Sequence, residues 1–192
     1  MGDETRAARV VRALRETAAA HERAAADVGS IVRAADAIVG ALKEGRKVLA
    51  FGNGGSAADA QHFVAELVGR YLRERKAWPA LALSTDTSVL TALGNDYGFD
   101  RVFARQIEAH GQPGDVALGI TTSGDSPNVL RALETANERR LVTIALTGRG
   151  GEAGRLAKVH VGVADDRTPR IQEVHITVLH ILCELVEDEL NG

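Results

Sequence analysis

A histidine and a glutamate lie four residues apart in the segment FGNGGSAADAQHFVAE, residues 51–66. If the segment after the glycines is helical, His62 and Glu66 share one face near the start of that helix. Such a pair could supply two metal ligands or an acid–base pair for proton transfer, and a hydrogen bond on the helix surface is the alternative. Arg70, one turn further along, could pair with Glu66 or reach a substrate oxygen.

A second group of polar side chains interrupts the apolar segment PRIQEVHITVLHILCELVEDEL near the C-terminus. Gln172 and His180 are eight residues apart, which is about 80° around a helix with about 3.6 residues per turn. Both could therefore face one cavity, but Gln172 and His175 could do so equally well. Spacing alone leaves open which histidine binds a ligand and which is a buried structural residue.

Two loops rich in glycine or hydroxyl groups follow apolar runs. The first, GNGGS at 52–56, allows a sharp turn and a close backbone approach, and Ser56 is predicted to cap the next helix. It matches neither the dinucleotide-binding fingerprint nor a P-loop, so a structural turn and a ligand loop both remain open. The second, TTSGDSP at 121–127, ends in a Ser-Pro pair that predicts a helix start. Hydroxyls and free amides at a helix start predict a phosphate site without a lysine, formed by Thr121, Thr122, Ser123 and Ser126.

Other polar residues receive structural interpretations. Asn95 and Asp96 are predicted to lie in a turn between two helices, because this pair is common in turns. His110 and His160 are expected to be structural, and His21 is expected to be solvated.

The elements that must position these groups are predicted from hydrophobic periodicity. Residues 4–28 and 30–45 follow helical spacing, with Ser30 as the cap of the second helix. From residue 46 onward, short apolar runs alternate with helical patterns, which is typical of a parallel sheet covered by helices on both faces. The predicted strands are 47–52, 79–84, 115–121, 141–148 and 158–164. The helices predicted between and after them are 57–71, 87–94, 99–110, 127–139, 152–157 and 169–190.

This alternation predicts a single α/β domain over residues 1–192. Within it, residues 1–44 form an N-terminal helical arm and residues 45–192 form the α/β core. Because ligands of open parallel sheets bind outside the carboxyl ends of the strands, the two loops described above are expected to line the site.

Composition excludes several classes of function. A net charge of −3 and an aromatic content of 4% give no basis for a nucleic-acid-binding surface. The charged N-terminus lacks the apolar segment of a secretion signal, and no apolar stretch is long enough to span a membrane. Cys183, the only cysteine, lies among apolar residues and is expected to be buried and unreactive. We therefore expect a cytoplasmic protein without nucleic-acid or membrane partners.

Four motifs, taken together, resemble a known family. They are GNGGSAADAQHFVAEL, GNDYGF, GDVALGITTSGDSPNVL and RIQEVHITVLHILCELVE, in this order along the chain. Over essentially its whole length the chain resembles the phosphoheptose isomerases of the sugar isomerase (SIS) fold. The resemblance implies a five-stranded parallel sheet in a flavodoxin-like three-layer sandwich, and a homotetramer with active sites at subunit interfaces. It further implies conversion of sedoheptulose 7-phosphate to a D-glycero-heptose 7-phosphate, expected to be the D-glycero-D-manno isomer.

The resemblance also implies roles for individual residues. Glu66 and His180 are the implied acid and base that move a proton between C1 and C2 through an enediol. One zinc ion per subunit is implied, and this choice makes His180, and not His175, the metal-binding histidine. The implied zinc ligands are His62, Glu66, Gln172 and His180. The implied substrate contacts are Asn53, Gly54, Gly55, Ser56, Glu66, Arg70, Asn95, Asp96, Thr121, Thr122, Ser123, Ser126 and Gln172.

One position departs from the family pattern. An acidic residue directly precedes RIQE in the family, whereas this chain has Pro169 there, with Asp165 and Asp166 upstream. The departure bears on substrate orientation at C2 and thus on the C2 configuration of the product.

Two other functions compete with the isomerase. One is a non-catalytic SIS protein that binds the bacterial replication initiator or another protein partner, in a branch that lacks the complete acid–base and metal set. The presence of both Glu66 and His180 favours the enzyme. The other is a phosphosugar-sensing regulator, which is disfavoured because the chain has no helix-turn-helix extension and no basic patch.

Overall fold

The structure, a computed structural model, describes residues 5–191. Helices and strands alternate along these residues, with short 3-10 turns at Ala25–Asp27 and Phe99–Arg101. The helices are α1 (Arg6–Ala24), α2 (Val28–Lys43), α3 (Gly55–Val68), α4 (Thr87–Tyr97), α5 (Val102–His110), α6 (Pro127–Glu138), α7 (Glu152–Leu156) and α8 (Thr168–Asn191). The strands are β1 (Val48–Gly52), β2 (Ala80–Ala82), β3 (Val116–Thr121), β4 (Val142–Thr147) and β5 (Val159–Gly162).

The five strands form one sheet in the order β2-β1-β3-β4-β5, and every neighbouring pair is parallel. β1 pairs with β2 on one side and with β3 on the other, so the chain leaves β1 in one direction and returns beyond it for β3. This reversal creates a crevice outside the carboxyl ends of β1 and β3.

Alternating side chains of the buried strands face two separate apolar layers. Val48 and Ala50 of β1 pack in the layer that contains α2, α3 and α8. Leu49 and Phe51 of the same strand pack in the layer that contains α5, α6 and α7. Burial on both faces explains why the strands read as continuous apolar runs in the sequence. The predicted α/β sandwich with a parallel sheet is confirmed.

The two N-terminal helices pack against the rest of the chain. α2 belongs to the apolar layer, with Ile38 fully buried, and α1 lies along α8. His21 of α1 contacts Thr177 of α8, with 2.9 Å between His21 Nε2 and Thr177 Oγ1. The expectation that His21 is solvated was therefore wrong, because α8 supplies a polar partner at that position. The first residue predicted for this helix, residue 4, lies outside the described residues.

The cap of α2 also differs from the sequence prediction. Asp27 is the N-cap, and its carboxylate accepts a hydrogen bond from the Ser30 N–H at 3.3 Å. The Ser30 side chain is buried, and its hydroxyl donates to the Asp27 carbonyl oxygen. Because α1 leads into α2 through only one 3-10 turn, the helix begins two residues before Ser30.

Cys183 is buried on the apolar face of α8, as predicted. Burial raises the pKa of its thiol to about 12, so the thiolate is disfavoured. No helix within residues 5–191 has the length and apolar character needed to cross a membrane.

Candidate active site

The loops that follow β1 and β3 meet at the crevice where the strand order reverses. The side-chain amides of Asn53 and Asn128 bond to each other in both directions, each at 2.8 Å. Asn53 follows β1 and Asn128 lies in the first turn of α6, so this amide pair ties the two loops together. Gly52 permits the approach, because a Cβ there would lie 2.7 Å from the Ile120 carbonyl oxygen.

The start of α3 depends on glycines. Gly54 is the N-cap, with a φ of +56° that favours glycine, and the helix begins at Gly55. A Cβ at Gly55 would lie 2.5 Å from Nε2 of Gln172, so the Gln172 amide rests directly on this backbone. Ser56 is not the N-cap that was predicted. It lies inside the first turn with its side chain buried, because the positive φ at Gly54 already supplies the turn.

His62, Glu66 and His180 come together where α3 lies beside α8; we call these three residues the histidine cluster. Nε2 of His62 lies 3.2 Å from Oε1 of Glu66 and 3.1 Å from Nε2 of His180. The His62 and Glu66 side chains are 44% and 25% exposed, so the cluster opens to solvent. His62 and His180, which are 118 positions apart in the chain, are thus neighbours in the fold.

Tyr71 is a fourth member of this neighbourhood that sequence reasoning missed. Its ring stacks on the His180 imidazole with 5.7 Å between ring centroids and 27° between ring planes. The predicted helix extends through residue 71, but α3 ends at Val68, so Tyr71 lies in the irregular connection after it, where helical spacing does not give the side-chain direction.

The donor atoms of the histidine cluster suit a zinc ion. Imidazole nitrogens and a carboxylate oxygen are common zinc ligands, and neighbouring ligand atoms around tetrahedral zinc are about 3.3 Å apart. The separations of 3.1 and 3.2 Å within the cluster are close to that spacing. No group of three or more His, Cys, Asp and Glu side chains across residues 5–191 is arranged as a ready-made metal site. Zinc binding, with Gln172 as the additional ligand, therefore stays a prediction that the donor types fit.

The structure separates the two histidines that spacing left equivalent. His175 is fully buried on the other side of α8, with its Nε2 3.0 Å from the Thr147 carbonyl oxygen. Burial lowers the pKa of His175 to about 4, so the neutral ring donates to that carbonyl. His180 faces His62 instead. Only His180 of these two is therefore available to a ligand beside α3.

The hydroxyl-rich loop after β3 folds around Thr121. Oγ1 of Thr121 lies 3.0 Å from Oγ of Ser126 and 3.4 Å from Oγ of Ser123, and it accepts the Gly124 N–H at 3.3 Å. Ser126 is the N-cap of α6 by backbone conformation, but its hydroxyl contacts Thr121 and makes no capping bond. Thr122 and Ser123 line an open depression of about 380 Å³. The hydroxyls lie close together beside a helix start, where anions commonly bind, but Thr121 is buried and Ser126 lines a separate depression with Asn53 and Asn128.

Comparison with known proteins identifies the family. The sequence model for the SIS domain matches residues 10–148. The phosphoheptose isomerase of Citrifermentans bemidjiense is 60% identical over 162 residues, which are 84% of this chain and 84% of that protein. The solved phosphoheptose isomerase GmhA from Neisseria gonorrhoeae has a TM-score of 0.91 and 46% identity, covering 96% of this chain and 100% of that one. A phosphoheptose isomerase from Francisella tularensis has a TM-score of 0.92 and 38% identity, covering 96% and 99%.

This chain belongs to the phosphoheptose isomerase family. The resemblance drawn from four motifs is therefore confirmed, and so is the prediction that the chain is an enzyme.

In this phosphoheptose isomerase family member, the glycine-rich loop after β4 braces the hydroxyl-rich loop. A Cβ at Gly124 would lie 1.9 Å from the Gly150 carbonyl oxygen, so the two backbones touch. The carboxylate of Asp125 accepts the Glu152 N–H at 2.9 Å. Sequence reasoning assigned no function to this second loop, and its bracing contact explains the glycines at its centre.

Asp165, in the segment between β5 and α8, makes several hydrogen bonds and ion pairs. Its carboxylate accepts the N–H groups of Asp166 and Arg167 at 2.9 and 3.0 Å and pairs with the Arg23 and Arg167 side chains. The Arg167 side chain and N–H, and then the Asp166 N–H, lower the pKa of Asp165 to about 2. We call Thr121–Ser126, Arg149–Glu152 and Asp165 together the loop frame.

The carboxylates upstream of Pro169 both have arginine partners. Asp165 is buried in the loop frame, and the exposed Asp166 pairs with Arg149, which borders the depression beside Ser123. Both carboxylates are therefore engaged in ion pairs of their own.

Three predicted substrate contacts, Arg70, Asn95 and Asp96, have partners outside the histidine cluster. Asn95 and Asp96 are in the last turn of α4 and not in a turn between helices, because α4 continues until Gly98, whose φ is +89°. Both side chains are exposed, and the Asn95 amide donates to the Asp96 carboxylate at 2.8 Å. Arg70 does not pair with Glu66; its Nε lies 3.7 Å from Oε2 of Glu74. Within residues 5–191, no described contact joins these three side chains to the histidine cluster.

Proposed function

We propose that this protein converts sedoheptulose 7-phosphate into a D-glycero-heptose 7-phosphate, expected to be the D-glycero-D-manno isomer. The observation that carries the proposal is the convergence of Glu66 and His180 on one nitrogen of His62. The names of the related enzymes support the phosphorylated heptose as substrate.

In the proposed mechanism the histidine cluster moves protons at C1 and C2 of the sugar. Ketose–aldose isomerisation requires removal of the C1 proton, formation of an enediol and return of a proton to C2. We assign the proton transfer between the carbons to Glu66 and the exchange of hydroxyl protons to His180. Their solvent-facing positions on two packed helices let a sugar reach both groups from one side.

We propose that one zinc ion per subunit is held by His62, Glu66, Gln172 and His180. When bound, zinc would supply positive charge that stabilises negative charge developing on the sugar oxygens. Gln172 joins this set through the family resemblance alone, because its amide lies beside Gly55, about 10 Å along α3 from His62.

We propose that the hydroxyl groups of Thr121, Thr122, Ser123 and Ser126 bind the 7-phosphate. The positive end of the α6 dipole favours an anion there. Holding the phosphate far from C1 and C2 converts remote binding energy into orientation of the reacting carbons. The part of the sugar between the phosphate and the reacting carbons would be contacted by Asn53, Gly54, Gly55 and Ser56.

Arg70, Asn95 and Asp96 have partners outside the histidine cluster within one subunit, which supports an assembly in which two subunits share a site. We propose a homotetramer with active sites at subunit interfaces, in which Arg70, Asn95 and Asp96 complete a site. Exposed apolar side chains on α1, which monomers seldom leave in contiguous patches, support such an assembly; they are Val10, Val11 and Leu14. We also propose that the protein acts in the cytoplasm, in keeping with its single, buried cysteine.

The test is direct incubation of the purified protein with sedoheptulose 7-phosphate, with and without added zinc, followed by NMR. We expect aldose signals to appear and to be enhanced by zinc, and the H2 coupling to report the C2 configuration. No aldose under either condition would overturn the proposal and favour a non-catalytic SIS protein. A His180→Ala variant is the matched control, because it should fold and give no product.

A further inference from the structure

A buried carboxylate on α8 holds the connection between α3 and β2. Glu187 is 2% exposed, and its two oxygens accept the N–H groups of Tyr71, Leu72 and Arg73, each at 3.0 Å. Burial alone would raise the pKa of Glu187, but these hydrogen bonds, together with one from Arg75, lower it. The group is therefore a carboxylate that fixes three consecutive backbone positions.

The side chain of Arg75 fastens the same connection to the end of α3. Its guanidinium is 1% exposed and pairs with Glu187 at 3.1 Å. It donates to the carbonyl oxygens of Glu66 at 2.6 Å and Leu67 at 2.9 Å, and its Cζ lies 3.6 Å from the centroid of the Trp78 ring. The last turn of α3, which carries Glu66, is thereby joined to the segment that carries Tyr71.

The imidazole of His180 is flanked by the rings of Tyr71 and His62. Tyr71 lies nearly parallel to it, and His62 meets it edge-on, with 5.0 Å between the two imidazole centroids and 60° between their planes. A histidine ring has a broad torsional preference about its last bond, so a partly exposed imidazole rotates unless neighbours hold it. Tyr71 is the neighbour whose own backbone is fixed by a buried ion pair.

We propose that Tyr71 is a positioning residue that holds the His180 imidazole in one plane, and that the Arg75–Glu187 pair keeps Tyr71 in place. The inference rests on the proposed role of His180 in proton transfer. Small misplacements of a catalytic group reduce the rate strongly, because proton transfer depends on distance and orientation. The sugar itself need not contact Tyr71, so substrate binding is expected to be little affected.

The first test compares two replacements of the Tyr71 ring. Tyr71→Leu should lower kcat by about tenfold or more while KM changes less than twofold. Tyr71→Phe should retain the wild-type kcat, because it keeps the stacking face. Leu72→Ala is the matched control: its side chain is 66% exposed and its backbone N–H bonds to the same Glu187. Equal losses in Tyr71→Phe and Tyr71→Leu, or no loss in either, would overturn the inference.

A second variant tests the anchor without removing the ring. Glu187→Gln preserves the side-chain volume but removes the charge that pairs with Arg75, and it should lower kcat in the same direction as Tyr71→Leu. Arg73→Ala serves as its control, because Arg73 pairs with the exposed Asp188. Wild-type kcat in a folded Glu187→Gln protein, verified by circular dichroism, would contradict the anchoring role.

Ring resonances of His180 in protein with labelled histidine give a readout that does not depend on turnover. Stacking on Tyr71 should shift these protons upfield; Tyr71→Phe should keep the shift and Tyr71→Leu should lose it. If the wild-type protein shows no isomerisation, the proposed function fails, and these resonances alone decide the positioning role. Unchanged His180 resonances in Tyr71→Leu would refute it.

Discussion

The histidine cluster and the loop frame differ in how completely their polar atoms are bonded. In the cluster, His62 and Glu66 are partly exposed and contact little beyond each other and His180. In the loop frame, Thr121 and Asp165 are buried, and each takes part in three or more hydrogen bonds or ion pairs. The loop frame lies at the carboxyl edge of the sheet, whereas the histidine cluster lies further along α3 and α8.

The difference assigns separate tasks to the two regions. Groups that exchange protons need unused bonding capacity and access, whereas hydrogen bonds among the groups of a binding loop fix its shape and leave its exposed members, such as Ser123, to contact a ligand. We therefore expect substitutions in the histidine cluster to change rate with little effect on stability. Substitutions in the loop frame should change substrate binding or the free energy of unfolding.

The largest effect is expected from Glu66→Gln. Because Glu66 is proposed to transfer the carbon-bound proton, its removal should lower kcat by about 10²–10⁴-fold, with an unchanged melting temperature since the side chain is partly exposed. Steady-state kinetics with sedoheptulose 7-phosphate and a thermal melt measure both. Glu44→Gln, at the exposed C-terminal end of α2, is the control and should behave as wild type. A kcat within threefold of wild type for Glu66→Gln would show that Glu66 does not control the rate, and it would contradict the separate tasks of the two regions.

The features of the fold and of the two regions that depend on local sequence patterns were predicted from the sequence. Continuous apolar runs located all five strands, and the spacing of His62 and Glu66 gave a correct common face on α3. The hydroxyls of the loop after β3 were visible because they are adjacent in the chain. The choice between His175 and His180 required the family resemblance, since both positions fit one helix face.

Features set by partners distant in the sequence could not be read in this way. Tyr71 acquires its place from Glu187, more than a hundred positions away, so no local pattern marks it. His21 appeared solvated because its partner, Thr177, lies on the opposite end of the chain. Asn95 and Asp96 looked like a turn because that pair favours turns, but the helix continues to a glycine three residues after Asn95.

An intermediate effect is expected from Ser126→Ala in the loop frame. Its hydroxyl is proposed to bind the phosphate, and a hydrogen bond to a charged group contributes about 1.5–3 kcal/mol. KM should therefore rise by about tenfold to a hundredfold while kcat falls less than it does in Glu66→Gln. Ser88→Ala, on the exposed first turn of α4, is the control. An unchanged KM would show that the Ser126 hydroxyl does not bind the substrate phosphate.

The smallest effect is expected from Asp165→Asn, which tests the frame through stability alone. The variant loses the charge that pairs with Arg23 and Arg167 but keeps the side-chain shape. We expect the free energy of unfolding at neutral pH to fall by about 1 kcal/mol, allowing for the solvent exposure of both arginines. Asp166→Asn is the control, because Asp166 is exposed and pairs with an exposed Arg149; it should change stability by only a few tenths of a kcal/mol at most, as about 0–1 kcal/mol is typical of surface pairs.

The pH dependence of the stability difference between wild type and Asp165→Asn shows whether the charge of Asp165 causes it. The pKa of Asp165 is lowered to about 2 in the folded protein, whereas an unfolded aspartate titrates near about 3.9. Its stabilising contribution is therefore complete above about pH 4 and is lost as the pH falls through about 2. Chemical denaturation of wild type and Asp165→Asn between these values should show the gap closing, because the other carboxylates titrate alike in both proteins. A gap that stays constant would assign the loss to packing and leave the frame without an electrostatic anchor at Asp165.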